Sequence, residues 1–263
     1  MNIREIFTFT IGLLLVGSIN ASVPKGNDKG LEIAKKMEKM GEGFVGENSE
    51  MKMVLIDAYK GKAIREMKGK VKEVQGDGDK SLFIFMNPKD VKGTKMLTWS
   101  HKEDDDDQWL YLPSSKRLRR ISSRSKSSSF MGSEFTYEDL GSQEIEKYNF
   151  EFIKEEKLGD KKVSVVTRYP KSKSGYSKQV MYVDNNLYHP LKIEYYDRKN
   201  ELLKVANFKP YKAYDVNGKK IYRTNEIHMV NVQTKKESIF TWLTRNVGTE
   251  HSSRTFDKSS LKK

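Results

Sequence analysis

The hydrophobic positions of this chain recur with two periods, and the change from one to the other comes early. Between Gly30 and Met40, Ile33, Met37 and Met40 recur at i, i+4 and i+7, with Leu31 and Ala34 beside them and Lys35, Lys36 and Lys39 facing away. That spacing predicts one amphipathic helix, capped by Asn27 or Asp28 and closed by Gly41 and Gly43. From Met51 onward the period is two. Met51 to Ile56, Ser81 to Met86 and Met96 to Ser100 read as strands, the second apolar on both faces and stopped by Asn87-Pro88. Tyr148, Phe150 and Phe152 alternate, as do Val163, Val165 and Thr167, then Val180 and Tyr182, then Leu191, Ile193 and Tyr195. Leu202 to Phe208, Ile221 to Val232 and Ser238 to Leu243 complete the series, with turns at Gly159-Asp160, Asn185-Asn186 and Asn217-Gly218. The runs predict a mainly β protein of about 11–13 strands, an antiparallel sheet curled around one apolar face with a helix against it. No linker interrupts the pattern, so residues 22–263 are expected to form a single domain.

The first residues follow neither period. Residues 1–21, MNIREIFTFTIGLLLVGSINA, combine Arg4, an apolar run from Ile6 to Val16 and a small residue at Ala21. This is the layout of a cleavable secretory signal, and the run is shorter than the roughly 20 apolar residues a membrane span requires. An exported, soluble product is expected. The formal charge of +13 favours anionic partners in general, and export removes nucleic acid from among them. The chain has no cysteine, which excludes disulfides, thiolate metal sites, a cysteine nucleophile and lipidation at an N-terminal cysteine.

Catalytic chemistry is not signalled. The four histidines, His101, His189, His228 and His251, show no metal-ligand spacing, and there is no nucleophile elbow, phosphate loop or dinucleotide fingerprint. No catalytic residue, metal or cofactor is expected. Asp104 to Asp107 read as a solvated turn meeting nearby lysines, since consecutive aspartates on a strand would point to opposite faces. The run Lys116-Arg117-Leu118-Arg119-Arg120, followed by Arg124 and Lys126, is the densest positive stretch. Arg117, Arg119, Arg120 and Arg124 either face water or meet an anionic headgroup or a partner protein.

The order Trp109-Leu110-Tyr111-Leu112-Pro113, Arg117-Leu118-Arg119-Arg120-Ile121, then Phe130-Met131-Gly132-Ser133-Glu134-Phe135-Thr136-Tyr137-Glu138-Asp139-Leu140 resembles the bacterial outer-membrane lipoprotein-sorting-protein family, the LolA-like periplasmic carriers. The resemblance is diagnostic through this stretch and extends over a family core of about residues 70–263. It implies an incomplete antiparallel β-barrel of LolA/LolB type, its concave apolar face covered by helices. It also implies a non-enzymatic carrier that shelters acyl chains of lipoproteins or other lipids in transit toward the outer membrane, with an RND-type inner-membrane transporter as a possible partner. The long Arg/Ser-rich segment from Arg117 to Ser129 departs from the family pattern and leaves the ligand open. The physics agrees, since each buried acyl CH₂ is worth about 0.8 kcal/mol. The eleven methionines suit a pliable cavity or ordinary core filling.

For the cavity, the expected residues are Phe83, Phe85, Trp109, Tyr111, Phe150, Phe152, Ile193, Tyr195 and Trp242, with Phe130, Met131 and Phe135 at its mouth. The sequence leaves strand parity open, and a one-residue slip turns a whole strand over. The alternative function is a non-carrier accessory protein that binds a transporter or an anionic envelope surface through its basic face.

Overall fold

The structure, a computed structural model, describes residues 23–262; the signal-peptide reading of residues 1–21 lies outside them. The one α-helix among these residues, α1 (Asp28–Gly41), is capped by Asn27, whose side chain accepts from the Gly30 N–H at 2.8 Å. Fifteen strands follow: β1 (Gly46–Ile56), β2 (Lys62–Lys72), β3 (Lys80–Asn87), β4 (Lys95–Trp99), β5 (Asp107–Leu112), β6 (Arg117–Ile121), β7 (Tyr148–Leu158), β8 (Lys161–Pro170), β9 (Lys178–Asp184), β10 (Pro190–Tyr196), β11 (Leu202–Phe208), β12 (Tyr211–Val216), β13 (Lys219–Thr224), β14 (Glu226–Asn231) and β15 (Glu237–Val247). The hairpin of β12 and β13 turns on Asn217 and Gly218, both at positive φ as a tight primed turn requires. Strand β2, legible in sequence only as a lysine-rich segment, pairs with β1 along all 11 of its residues.

Thirteen strands form a single antiparallel sheet in the order β6-β5-β4-β3-β2-β1-β15-β14-β11-β10-β9-β8-β7. It is the expected incomplete barrel, because its two free edges, β6 and β7, do not pair. They are consecutive in the chain, so the connection of residues 122–147 has to cross the gap. That connection carries its own apolar anchors. Phe130 is buried against Phe85 and Tyr137, with ring centroids 5.7 and 5.8 Å away, and Phe135 meets Phe240 edge-on at 5.3 Å. Phe130 and Phe135, both expected at a mouth, anchor this connection across the open side of the sheet.

The other edge, β7, is covered by the start of α1. The Asn27 N–H donates to the Phe150 carbonyl at 2.7 Å, and its side chain exchanges hydrogen bonds with both the N–H and the carbonyl of Phe152. Gly30 allows this approach: a Cβ there would stand 2.7 Å from the Phe150 and Phe152 backbone. An uncovered edge strand is a template for aggregation, and this contact removes it.

The concave face holds the main core, with Met51, Met53, Met67, Phe85, Met96 and Leu110 on one flank and Phe150, Met181, Ile193, Ala206, Met229 and Phe240 on the other. A second core lies on the convex face. There Leu82, Leu97 and Trp109 pack under Phe256 and Leu261, which sit on two short 3₁₀ turns, Ser253–Phe256 and Lys258–Lys262. The Trp99 indole N–H donates to the Phe256 carbonyl at 2.8 Å. This corrects the expected parity of β5. Trp109 and Tyr111 point away from the concave face, and Gln108, Leu110 and Leu112 point into it. Both faces of β5 are apolar because the C-terminal segment covers the outer one, so alternation alone could not orient the strand.

Candidate functional site: a cavity beneath the helix

A cavity of about 720 Å³ opens between α1, the concave face and the gap-crossing connection. Its floor comes from adjacent strands: Met181 and Ile193 face each other across β9 and β10, and Phe208 and Ile227 across β11 and β14. Ala34 and Met37 of α1 form the roof, while Phe135, Ile145 and Phe150 close the sides. Each of these strands alternates, so every second residue is delivered to the same wall.

The rim is polar. Glu73 accepts from the N–H groups of Gly43 at 2.5 Å and Val45 at 2.8 Å, pinning the helix exit to the turn after β2. Asp77 accepts from the Lys102 N–H and contacts His101 Nδ1, both at 2.9 Å. Burial opposes its ionisation, but these bonds prevail and hold its pKa at about 2. Asp79 behaves oppositely. Burial pushes it up to about 7, against the Val74 N–H bond, with Glu144 and Glu73 adding repulsion. Glu38, Glu144 and Glu146 bring carboxylate oxygens within 4.8 Å of one another, as a metal site would. The Lys102 ammonium already lies between Glu38 at 3.6 Å and Glu146 at 3.8 Å, so the cluster carries its own cation.

Deeper in, a buried ion pair fastens the connection to the sheet. Lys204 Nζ of β11 contacts Asp139 Oδ2 at 2.6 Å and donates to the Glu134 carbonyl at 2.9 Å. Asp139 also accepts from the Tyr176 hydroxyl at 2.8 Å and the Thr136 N–H at 2.7 Å. The plug is therefore held by charge as well as by aromatic packing. Arg168 of β8 is buried too, its guanidinium 4.6 Å from the Tyr148 ring centroid.

Of the residues expected from sequence, Phe135, Phe150, Ile193 and Tyr195 line the cavity. Phe85 and Phe130 are fully buried, and Phe83 and Met131 pack at the margin of the same core. Phe152 is half-buried beneath the Lys29 ammonium, 3.6 Å above its ring. Trp242 lies between Phe240 and the Arg245 guanidinium, at 5.6 and 4.4 Å. Trp109 and Tyr111 belong to the convex core. Arg117, Arg119, Arg120 and Arg124 are exposed, and Arg120 pairs with Asp107 at 2.5 Å. The aspartate run meets cations, as expected: Asp105 pairs with Lys126 at 3.5 Å, and Asp106 with Lys147. Sequence reasoning missed Ala34, Met37, Met181, Met229 and the acidic rim. The helix stripe and the alternation around Met181 were the available signals. The rim is assembled from separate loops and left none.

These features define an open β-sheet protein cupped around an apolar hollow. A family model described only as an uncharacterized protein matches residues 77–263. A domain described as that of an outer membrane lipoprotein-sorting protein, from Vibrio parahaemolyticus, is 46% identical, with 89% of this chain and 99% of that one covered at a TM-score of 0.86. A DUF1329 family protein from Desulfovibrio piger is 28% identical over 89% of this chain and 98% of its own, at 0.82. A LolA superfamily protein from Nitrosomonas europaea shares the fold at 16% identity and 0.69, over 88% and 98%. No curated protein matches. The chain belongs to the lipoprotein-sorting family of the Vibrio domain and has the LolA fold.

Proposed function

We propose that this protein is a periplasmic carrier that shelters acyl chains of a lipid or lipoprotein in the cavity beneath α1, during transport toward the outer membrane. The observation that carries this is the hollow itself. At about 720 Å³ with an apolar floor, it falls within the roughly 300–1,000 Å³ of small-molecule sites. Its opening lies between α1 and the residues 122–147 connection, both of which contribute to its lining. Binding needs no catalytic group, because burying the chain already removes the cost of exposing it to water. Residues 1–21 would direct export, and no helix among the described residues is long and apolar enough to cross a membrane.

The test is native mass spectrometry of protein recovered from the periplasm, followed by lipid extraction and titration with a fluorescent fatty acid. Bound lipid and saturable uptake are expected. An empty protein that takes up no fatty acid would sink the proposal. One observation favours a second reading, in which a transporter or anionic surface is bound: exposed arginines lie on and beside the free edge β6. Replacing Arg117, Arg119 and Arg120 with Gln should then abolish flotation with anionic liposomes, and unchanged flotation removes that reading.

A further inference from the structure

The inner face carries a row of side chains, one per strand, that does not fit an apolar wall. In register across β7 to β11 stand Phe150, Arg168, Gln179, Tyr195 and Lys204. Arg168 is 6% exposed and lines the cavity. Its Nε and Nη2 donate to the Gln179 side-chain oxygen, the former at 2.8 Å, and Nη2 also donates to that of Gln143 at 2.9 Å. These acceptors are neutral amides. Among the described residues no carboxylate forms an ion pair with Arg168, and Nη1 has no hydrogen-bond partner. Asp139, a buried carboxylate of the same cavity, is engaged by Lys204 and Tyr176.

A buried cation without a counter-charge is costly unless something pairs with it. Stacking on Tyr148 and two amide oxygens offset part of that cost. They leave the two N–H groups of Nη1, charge-assisted donors for a carboxylate or phosphate oxygen. Tyr195 lies two strands along the row, lines the same cavity and makes no hydrogen bond through its hydroxyl among the described residues. Burial keeps that hydroxyl protonated and hence a donor.

We infer that Arg168 and Tyr195 form an anion subsite in the cavity, which binds the acidic head, carboxylate or phosphate monoester, of a single-chain amphiphile. The inference rests on the carrier reading and adds a head-group selectivity to it. Selectivity of this kind is opposite to what the acidic rim alone suggests, so the two features predict different ligands and can be told apart.

The experiment is calorimetric titration of the exported protein with dodecanoate, dodecyl phosphate, 1-dodecanol and dodecylamine, with acetate and inorganic phosphate as chainless controls. The acidic amphiphiles should bind roughly tenfold or more tightly than dodecanol, as a charge-assisted hydrogen bond provides, and dodecylamine no better than dodecanol. Arg168→Gln should cut that preference to threefold or less (about) while dodecanol binding persists, which also shows the variant is folded. Arg168→Lys should retain part of the preference, and Tyr195→Phe should lower it a few-fold. Equal affinity for dodecanoate and dodecanol in the unaltered protein overturns the subsite and leaves carriage standing. Acetate or phosphate binding as tightly as the chain-bearing acids overturns it too, by assigning the site to a free anion. If no amphiphile binds, the subsite falls together with the carrier reading.

Discussion

Lys204 and Asp139 illustrate how much a single pair can hold. Both side chains are almost wholly buried, and breaking such a pair leaves a lone charge in the interior. Lys204→Met is expected to lower unfolding free energy by about 3–5 kcal/mol in urea titration, and adding Asp139→Leu should restore part of the loss. Two other buried groups make stability depend on pH in opposite senses. Asp79 titrates at about 7 in the fold, above its unfolded value, so the folded state holds a proton the unfolded chain has released. Its penalty is absent at low pH and grows as pH rises from the ordinary aspartate range to about 7. Asp79→Asn should therefore gain on the native protein over that interval. His189, stacked on Tyr211 at 5.0 Å, is lowered to about 4 by burial and the nearby Arg223. Between about 6.5 and 4 the unfolded chain binds more protons, so stability falls as pH falls through that window. His189→Phe should flatten the acid side of the melting-temperature profile.

At the scale of elements, two pieces cover what the open sheet leaves bare: α1 on the β7 edge and the residues 122–147 connection across the gap. Helix α1 docks on β7 through Asn27 and the bare backbone at Gly30. Alanine is the better helix former by about 1 kcal/mol, yet Gly30→Ala should destabilise, because the new Cβ would lie 2.7 Å from backbone that cannot yield. Hydrogen exchange should show the loss at the Phe152 amide, which bonds to the Asn27 side chain at 3.0 Å. Exchange that is unchanged there would mean the helix tolerates a wider docking distance. The helix was legible because its apolar stripe has a period distinct from everything after it. The residues 122–147 connection was legible as a motif but not as a plug, since Phe130 finds Phe85 only when the two sheet edges curl toward each other.

Across the whole molecule, apolar side chains are divided between two faces of one sheet. The convex cluster under Phe256 is remote from the cavity, so the two can be separated experimentally. Phe256→Ala should cost about 3–5 kcal/mol and increase binding of a hydrophobic dye, while amphiphile affinity stays unchanged. A parallel loss of affinity would show that the convex core shapes the cavity. The charge is divided as well: a chain of +13 nevertheless gathers Glu38, Glu42, Glu73, Asp77, Asp79 and Glu144 around one opening.

Local pattern was enough to determine the mainly β class, the helix after Asn27-Asp28, most strands and the Asn217-Gly218 hairpin, because each depends on neighbours within a few residues. It also carried the family, through the segments from Trp109 to Leu140. The direction in which β5 faces, the role of Phe130, and the placing of Arg168 and Tyr195 in one cavity were decided only by tertiary structure. Alternation records that a strand has two faces and not which of them is inside; that depends on what the rest of the chain lays over each. In this protein the C-terminal turns cover Trp109, and the curl of the sheet places Arg168 and Tyr195 in one cavity.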